Sequence, residues 1–154
     1  MTEKKLFSIK ELAPVIKQLV SQGKQVKFTI TGNSMFPMLV NRRDMVTLSA
    51  PVDIKKYDVV LHQRKDGTYI LHRVIGKKGN TLTIAGDNET VREKNVDISQ
   101  VIAVAVSFER KGKTFTVDCG AYRIYSVIWL WVFPVRHFIL NVLIYIRRLF
   151  CGKK

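Results

Sequence analysis

The sequence predicts a mainly β fold: an antiparallel β domain preceded by a short helix and followed by an apolar helical segment. Three observations carry this. From Val26 to Phe115 apolar residues recur with period two or in short runs, the pattern of half-buried and fully buried strands. The runs are separated by Lys65-Asp66-Gly67, Lys78-Gly79-Asn80 and Arg110-Lys111-Gly112, which have the chemistry of hairpin turns. At 154 residues the chain is one domain's worth, long enough to bury a core.

In chain order, Ser8-Ile9-Lys10-Glu11 reads as a capping box, with Leu12, Val15, Ile16, Leu19 and Val20 at helical spacing and Gly23 placed to end the helix. Pro14 argues for a later start than the cap suggests. Strands are expected at 26–30, 45–49, 57–62, 68–75, 81–85, 101–109 and 113–117. This divides the chain into a helix over 1–25, a β domain over 26–118 and a hydrophobic, basic segment over 119–154.

Composition narrows the chemistry. Two cysteines, Cys119 and Cys151, and three histidines supply neither a disulfide framework nor a zinc ligand set, so no metal or other cofactor is expected. A net charge of +14 predicts an anionic partner, nucleic acid or a membrane surface. Charges scattered through residues 1–24 leave no continuous apolar core for a signal peptide, which predicts a cytoplasmic start.

Three short stretches carry the candidate chemistry. Thr31-Gly32-Asn33-Ser34-Met35-Phe36-Pro37 presents a serine at a strand end, between a glycine and a proline that constrain the backbone. Tyr69-Ile70-Leu71-His72-Arg73-Val74-Ile75 sets a histidine and an arginine within an otherwise apolar strand. Ile84-Ala85-Gly86-Asp87-Asn88 sets an acid just after another. A serine nucleophile needs a base, and a carboxylate fixes the tautomer of an imidazole base; Ser34, His72 and Asp87 supply one of each. Taken alone, each stretch is also a polar turn or a structural strand residue.

The ordered set Gly-x-Ser-Met-x-Pro, Tyr57-Asp58-Val59-Val60, His-Arg-Val-Ile and Gly-Asp-Asn resembles the type I signal peptidases and their relatives, serine peptidases that include the self-cleaving repressors, over residues 26–106. The resemblance implies Ser34 as nucleophile, His72 as base, as in the archaeal and endoplasmic-reticulum branch, and Asp87 as support for the imidazole. Asp58 is expected to be structural. The Ser34 N–H is the implied oxyanion donor; some relatives add a serine hydroxyl two residues earlier, where this chain has Gly32, so that either Thr31 or Asn33 assists or one donor fewer is used. Met35 and Phe36 are implied to meet an extended peptide substrate. The expected function is an endopeptidase trimming a leader or signal-like segment.

The ends depart from that pattern. Ile124 to Ile146 is a 23-residue apolar segment with Tyr125, Trp129, Trp131 and Tyr145, interrupted by Pro134, Arg136, His137 and Asn141. Its 14 Ile, Val, Leu and Phe residues outweigh the arginine on an insertion scale of roughly +3 kcal/mol for a central Arg against about −0.3 to −0.6 for each aliphatic. Six Lys or Arg and no acid follow Asp118. Membrane association is expected, either spanning or as two short interfacial helices divided at Pro134 and Arg136, with the β domain on the cytoplasmic face of a bacterial inner membrane and the opposite topology open. Rival readings are a catalytically inactive adaptor of the same fold, a nucleic-acid-binding protein for which no recognition motif is present, and a repressor, for which the 25 residues before the first strand are too few.

Overall fold

The computed structural model describes residues 9–136 together with 138, 139, 141, 142 and 145. The chain begins with helix α1 (Ile9–Ser21) and continues through β1 (Val26–Thr29), β2 (Met45–Ser49), β3 (Val59–Gln63), β4 (Tyr69–Lys78), β5 (Thr81–Ala85), β6 (Glu93–Asp97), β7 (Val101–Arg110) and β8 (Lys113–Thr116) to helix α2 (Gly120–Trp131). The strands form one 8-stranded sheet, ordered β1-β2-β7-β3-β4-β5-β6 with β8 paired to β7, and every pair is antiparallel. The mainly β, antiparallel class with a helix at either end is therefore the fold the chain adopts.

Helix α1 buries Ala13, Ile16 and Val20, one stripe of its surface, and lies against β7, β4 and β1. Pro14 does not delay it. The proline lies inside the helix, and the carbonyl it leaves unpaired belongs to Lys10, which is exposed to water. The expected capping serine, Ser8, falls outside the described residues. Gly23 ends the helix as expected: with φ +76° it donates to the Val20 carbonyl, and Lys24 donates to Leu19, the paired bonds of a Schellman stop.

The turn at Lys65-Asp66-Gly67 closes β3 onto β4, Gly79 connects β4 to β5 at φ +56°, and Gly112 connects β7 to β8 at φ +76°. Two strand boundaries shift by more than one residue. Tyr57 and Asp58, expected in the third strand, instead end a turn in which the Asp58 carboxylate accepts from Lys55 N–H at 2.8 Å, so this acid has the structural place expected of it. Strand β4 runs on to Lys78, carried past a bulge between Val74 and Gly76. Strand β6 is an addition: Glu93-Lys94-Asn95-Val96-Asp97 has one apolar residue, Val96, and is held as an edge by pairing with β5.

Two apolar clusters fill the interior. The larger joins α1 to β2, β3 and β7 through Ile16, Val46, Leu48, Leu61, Ala103 and Phe108, and takes in Met35 and Tyr122; the smaller gathers Val60, Val74, Ile84 and Val96.

Helix α2 is docked on the β domain rather than separated from it. Tyr122 and Ser126 bond the buried Arg73, and the Trp129 indole donates to the Asp87 carbonyl at 3.0 Å. The helix stops at Trp131 and the chain turns through 132–135, where Pro134 stands. Among the described residues no helix is long and apolar enough to cross a membrane.

Candidate functional site

Register explains which side chains meet. Across the β3–β4 ladder Val60 is opposite His72, and two residues along β3 on the same face is His62, with the two imidazole centroids 6.0 Å apart. Across β4–β5 Val74 is opposite Ile84, and across β5–β6 Ile84 is opposite Glu93, so Glu93 comes to the same face as His72. Arg73 points the other way. It is opposite Ala85, and Asp87, two residues further on, shares its side.

The nucleophile candidate sits on the loop after β1. Ser34 is half-buried, and it lines a cavity of about 240 Å³ with Thr31, Met35, Ile70, His72 and Glu89. The loop is tied to the segment after β5: Asn88 N–H donates to the Ser34 carbonyl at 2.8 Å. Gly86 makes this approach possible, since a Cβ there would lie 2.7 Å from the Ser34 carbonyl oxygen and 3.0 Å from Glu89 Cδ. Thus two of the three stretches singled out in the sequence, Gly86-Asp87-Asn88 and the Ser34 loop, meet through backbone. Gly86→Ala is expected to push the Ser34 loop away, lowering stability by about 1–3 kcal/mol. A wild-type urea midpoint in that variant would count against the contact.

The Ser34 N–H makes no backbone hydrogen bond among the described residues, which leaves it as the candidate oxyanion donor. Thr31 and Asn33 are exposed, and the Gly32 N–H is taken by Asn41 Oδ1 at 3.1 Å. Thr31 lines the cavity, whereas Asn33 does not. Met35 both lines it and is buried in the larger core cluster; Phe36, half-buried beside the cis Phe36–Pro37 peptide, is not part of its lining.

Asp87 requires a correction of role. Expected to support the His72 imidazole, its carboxylate is instead held by the Arg73 guanidinium, Nε to Oδ1 and Nη2 to Oδ2 both at 2.8 Å, with the Tyr125 hydroxyl donating to Oδ2 at 3.2 Å. The reason is the period of two in β4: neighbours His72 and Arg73 face opposite sides, and Asp87 is on Arg73's.

The carboxylates beside His72 are ones the sequence reading missed. Glu89 Oε1 lies 3.3 Å from Nε2 and Glu93 Oε1 lies 3.4 Å from Nδ1; Glu89 lines the cavity with Ser34 and Glu93 does not. Both are ion-pair distances without hydrogen-bond alignment, and both imidazole nitrogens lack a hydrogen bond among the described residues. Proximity to His72 holds the Glu89 carboxyl below its usual range, against the opposing effect of burial. Hydrogen bonding from Arg64 does the same for Glu93. Arg64 Nε donates to Glu93 Oε2 at 2.9 Å, and its Nη2 pairs with Oε1. His62, fully buried with Nε2 3.6 Å from Glu93 Oε2, has its pKa pushed down by burial to about 4. The sequence signal for Glu93 was faint: an acid on a polar edge strand that has no apolar alternation.

Arg136, an expected obstacle to lipid contact, is turned into the protein, its guanidinium 3.8 Å from the Phe133 ring centroid. The outward surface of α2 and the residues beyond it is apolar instead: Ile124, Ile128, Val135 and Phe138 are exposed, and Trp131 is 81% exposed.

No protein-family model matches the chain, and it matches no curated protein.

Proposed function

We propose that the chain is a serine endopeptidase that trims a leader or signal-like segment, with Ser34 as nucleophile and His72 as general base. The observation that carries this reading is the convergence of Ser34, from the loop after β1, and His72, from β4, on one cavity. In the proposed reaction His72 Nε2 takes the Ser34 Oγ proton as Oγ bonds to the scissile carbonyl carbon, and the oxyanion forms against the Ser34 N–H. The C–N bond then breaks, the proton on Nε2 passes to the leaving amine, and water hydrolyses the ester by the same base. A cavity of this size suits a substrate with small side chains next to the scissile bond.

The exposed apolar face of α2 and the sequence cations Arg147, Arg148, Lys153 and Lys154 support a site of action at an anionic membrane surface, with the domain on the cytoplasmic side.

The test is a diverse peptide library incubated with anionic vesicles and either wild type or Ser34→Ala. New termini found by mass spectrometry only with the wild type, in the vesicle-bound fraction, are the expected result. Identical products from both proteins would exclude Ser34 as nucleophile, absence of products would favour an inactive adaptor, and protein left in the supernatant would exclude the membrane surface.

A further inference from the structure

We propose that Glu93, anchored by Arg64, is the positioning residue that sets the tautomer of His72. The inference rests on the peptidase reading of Ser34 and His72 and adds to it a carboxylate from the edge strand β6. A serine–imidazole pair works only if the ring nitrogen facing the hydroxyl carries a lone pair, so the proton must sit on the other nitrogen. Here Nε2 lies beside Glu89, which lines the cavity, and Nδ1 lies beside Glu93, which does not, so Nε2 is assigned to the serine side. The 3.4 Å separation is within reach of a hydrogen bond after a small rotation, and such bonds commonly tighten when substrate is bound.

Three groups compete for the role, and geometry separates them. Asp87 is on the far face of β4, with both carboxylate oxygens on Arg73. Glu89 lies beside Nε2, where a fixed carboxylate would oppose the lone pair that catalysis needs, and it stands on a loop with its side chain 38% exposed. Glu93 has both oxygens gripped by the Arg64 guanidinium, which fixes the carboxylate in place and keeps it charged. The remaining group near the ring, His62, is buried and its burial favours the neutral form, so it adds no cation between Glu93 and His72.

The substitution that discriminates is Glu93→Gln. Arg64 Nε donates to Oε2 and Nη2 pairs with Oε1, the oxygen that also faces Nδ1; with the amide oxygen kept on Nε, the NH2 takes the Oε1 position, releases Nη2 and calls for a lone pair on Nδ1. The proton is displaced to Nε2, the wrong nitrogen. The readout is the 15N chemical shifts of the His72 ring in the full chain, assigned by their loss in His72→Gln and recorded where the ring is neutral. Wild type is expected to show the Nδ1–H tautomer and Glu93→Gln to move toward Nε2–H. With a substrate peptide, Glu93→Gln is expected to lower kcat by about a hundredfold, within the range contributed by a general base, while KM changes little. A wild-type ring protonated on Nε2 would overturn the proposal without any variant having to fold, as would a Glu93→Gln protein with unchanged ring shifts. If wild type cleaves nothing, the peptidase reading fails, yet the ring shifts still decide the place of Glu93.

Discussion

Arg73→Met is expected to lower folding stability by about 3–5 kcal/mol, the cost of removing one partner from a buried ion pair. The Arg73 side chain is almost fully buried, and its guanidinium serves as a hub joining three parts of the chain. Nε and Nη2 hold Asp87, and Nη1 donates to the Tyr57 carbonyl at 3.0 Å, the Tyr122 hydroxyl at 2.9 Å and Ser126 Oγ at 2.8 Å. Burial alone would weaken its charge, but Asp87 more than offsets this and keeps its pKa above the ordinary arginine value. Methionine would fill the aliphatic volume and leave Asp87 charged, buried and without its cation. Asp87→Asn is expected to destabilise in the same direction, and the double variant to recover much of the loss, because neither charge is then stranded. Urea unfolding of the four proteins measures this. An Arg73→Met variant within 1 kcal/mol of wild type, or an Asp87→Asn variant of full stability and reduced peptidase rate, would return Asp87 to the catalytic role read from the sequence.

That exchange of roles shows where local pattern ceases to be informative. Period two and glycine turns made most of the strands legible, because each is set by residues adjacent in sequence. Ser34 and His72 were legible for the same reason, as polar residues at constrained positions in or beside apolar strands. The partner of His72 was not, since it depends on ladder register over three strands. His72 is opposite Val60, while Glu93 reaches the same face only through Val74 and Ile84, across the bulges in the β4–β5 and β5–β6 pairings. A bulge changes which side chains share a face, and nothing in a polar segment such as Glu93-Lys94-Asn95 announces one. Asp87 was conspicuous because Gly86-Asp87-Asn88 is a recognisable turn. Gly86 is required there by the Ser34 carbonyl packed against it, and the acid belongs to Arg73.

His62 predicts a second large effect, on stability against pH. Unfolded, a histidine titrates near 6.5; in the fold, burial moves His62 to about 4. Between these values the unfolded chain binds a proton that the folded chain refuses. Its contribution is therefore complete above pH 6.5, falls as the pH is lowered, and is exhausted near pH 4. A difference of this size corresponds to about 3 kcal/mol. The carboxylates Glu89 and Glu93, held below their usual range, lose their contributions only as the pH falls beneath the ordinary carboxylate values, so the window from 6.5 to about 5 belongs to histidine. The groups facing His62 are Glu93 from β6, His72 from β4 and Arg64 just past the end of β3. Urea unfolding at pH 7, 6, 5 and 4.5 is expected to show wild type losing stability steeply and His62→Leu losing much less, with little difference at pH 7, where His62 is neutral and its ring nitrogens make no hydrogen bond among the described residues. Equal slopes for the two proteins would mean that His62 takes up its proton in the fold as readily as in the unfolded chain. In that case a charged His62 would share Glu93 with His72, and the carboxylate proposed to set the tautomer would be divided between two rings.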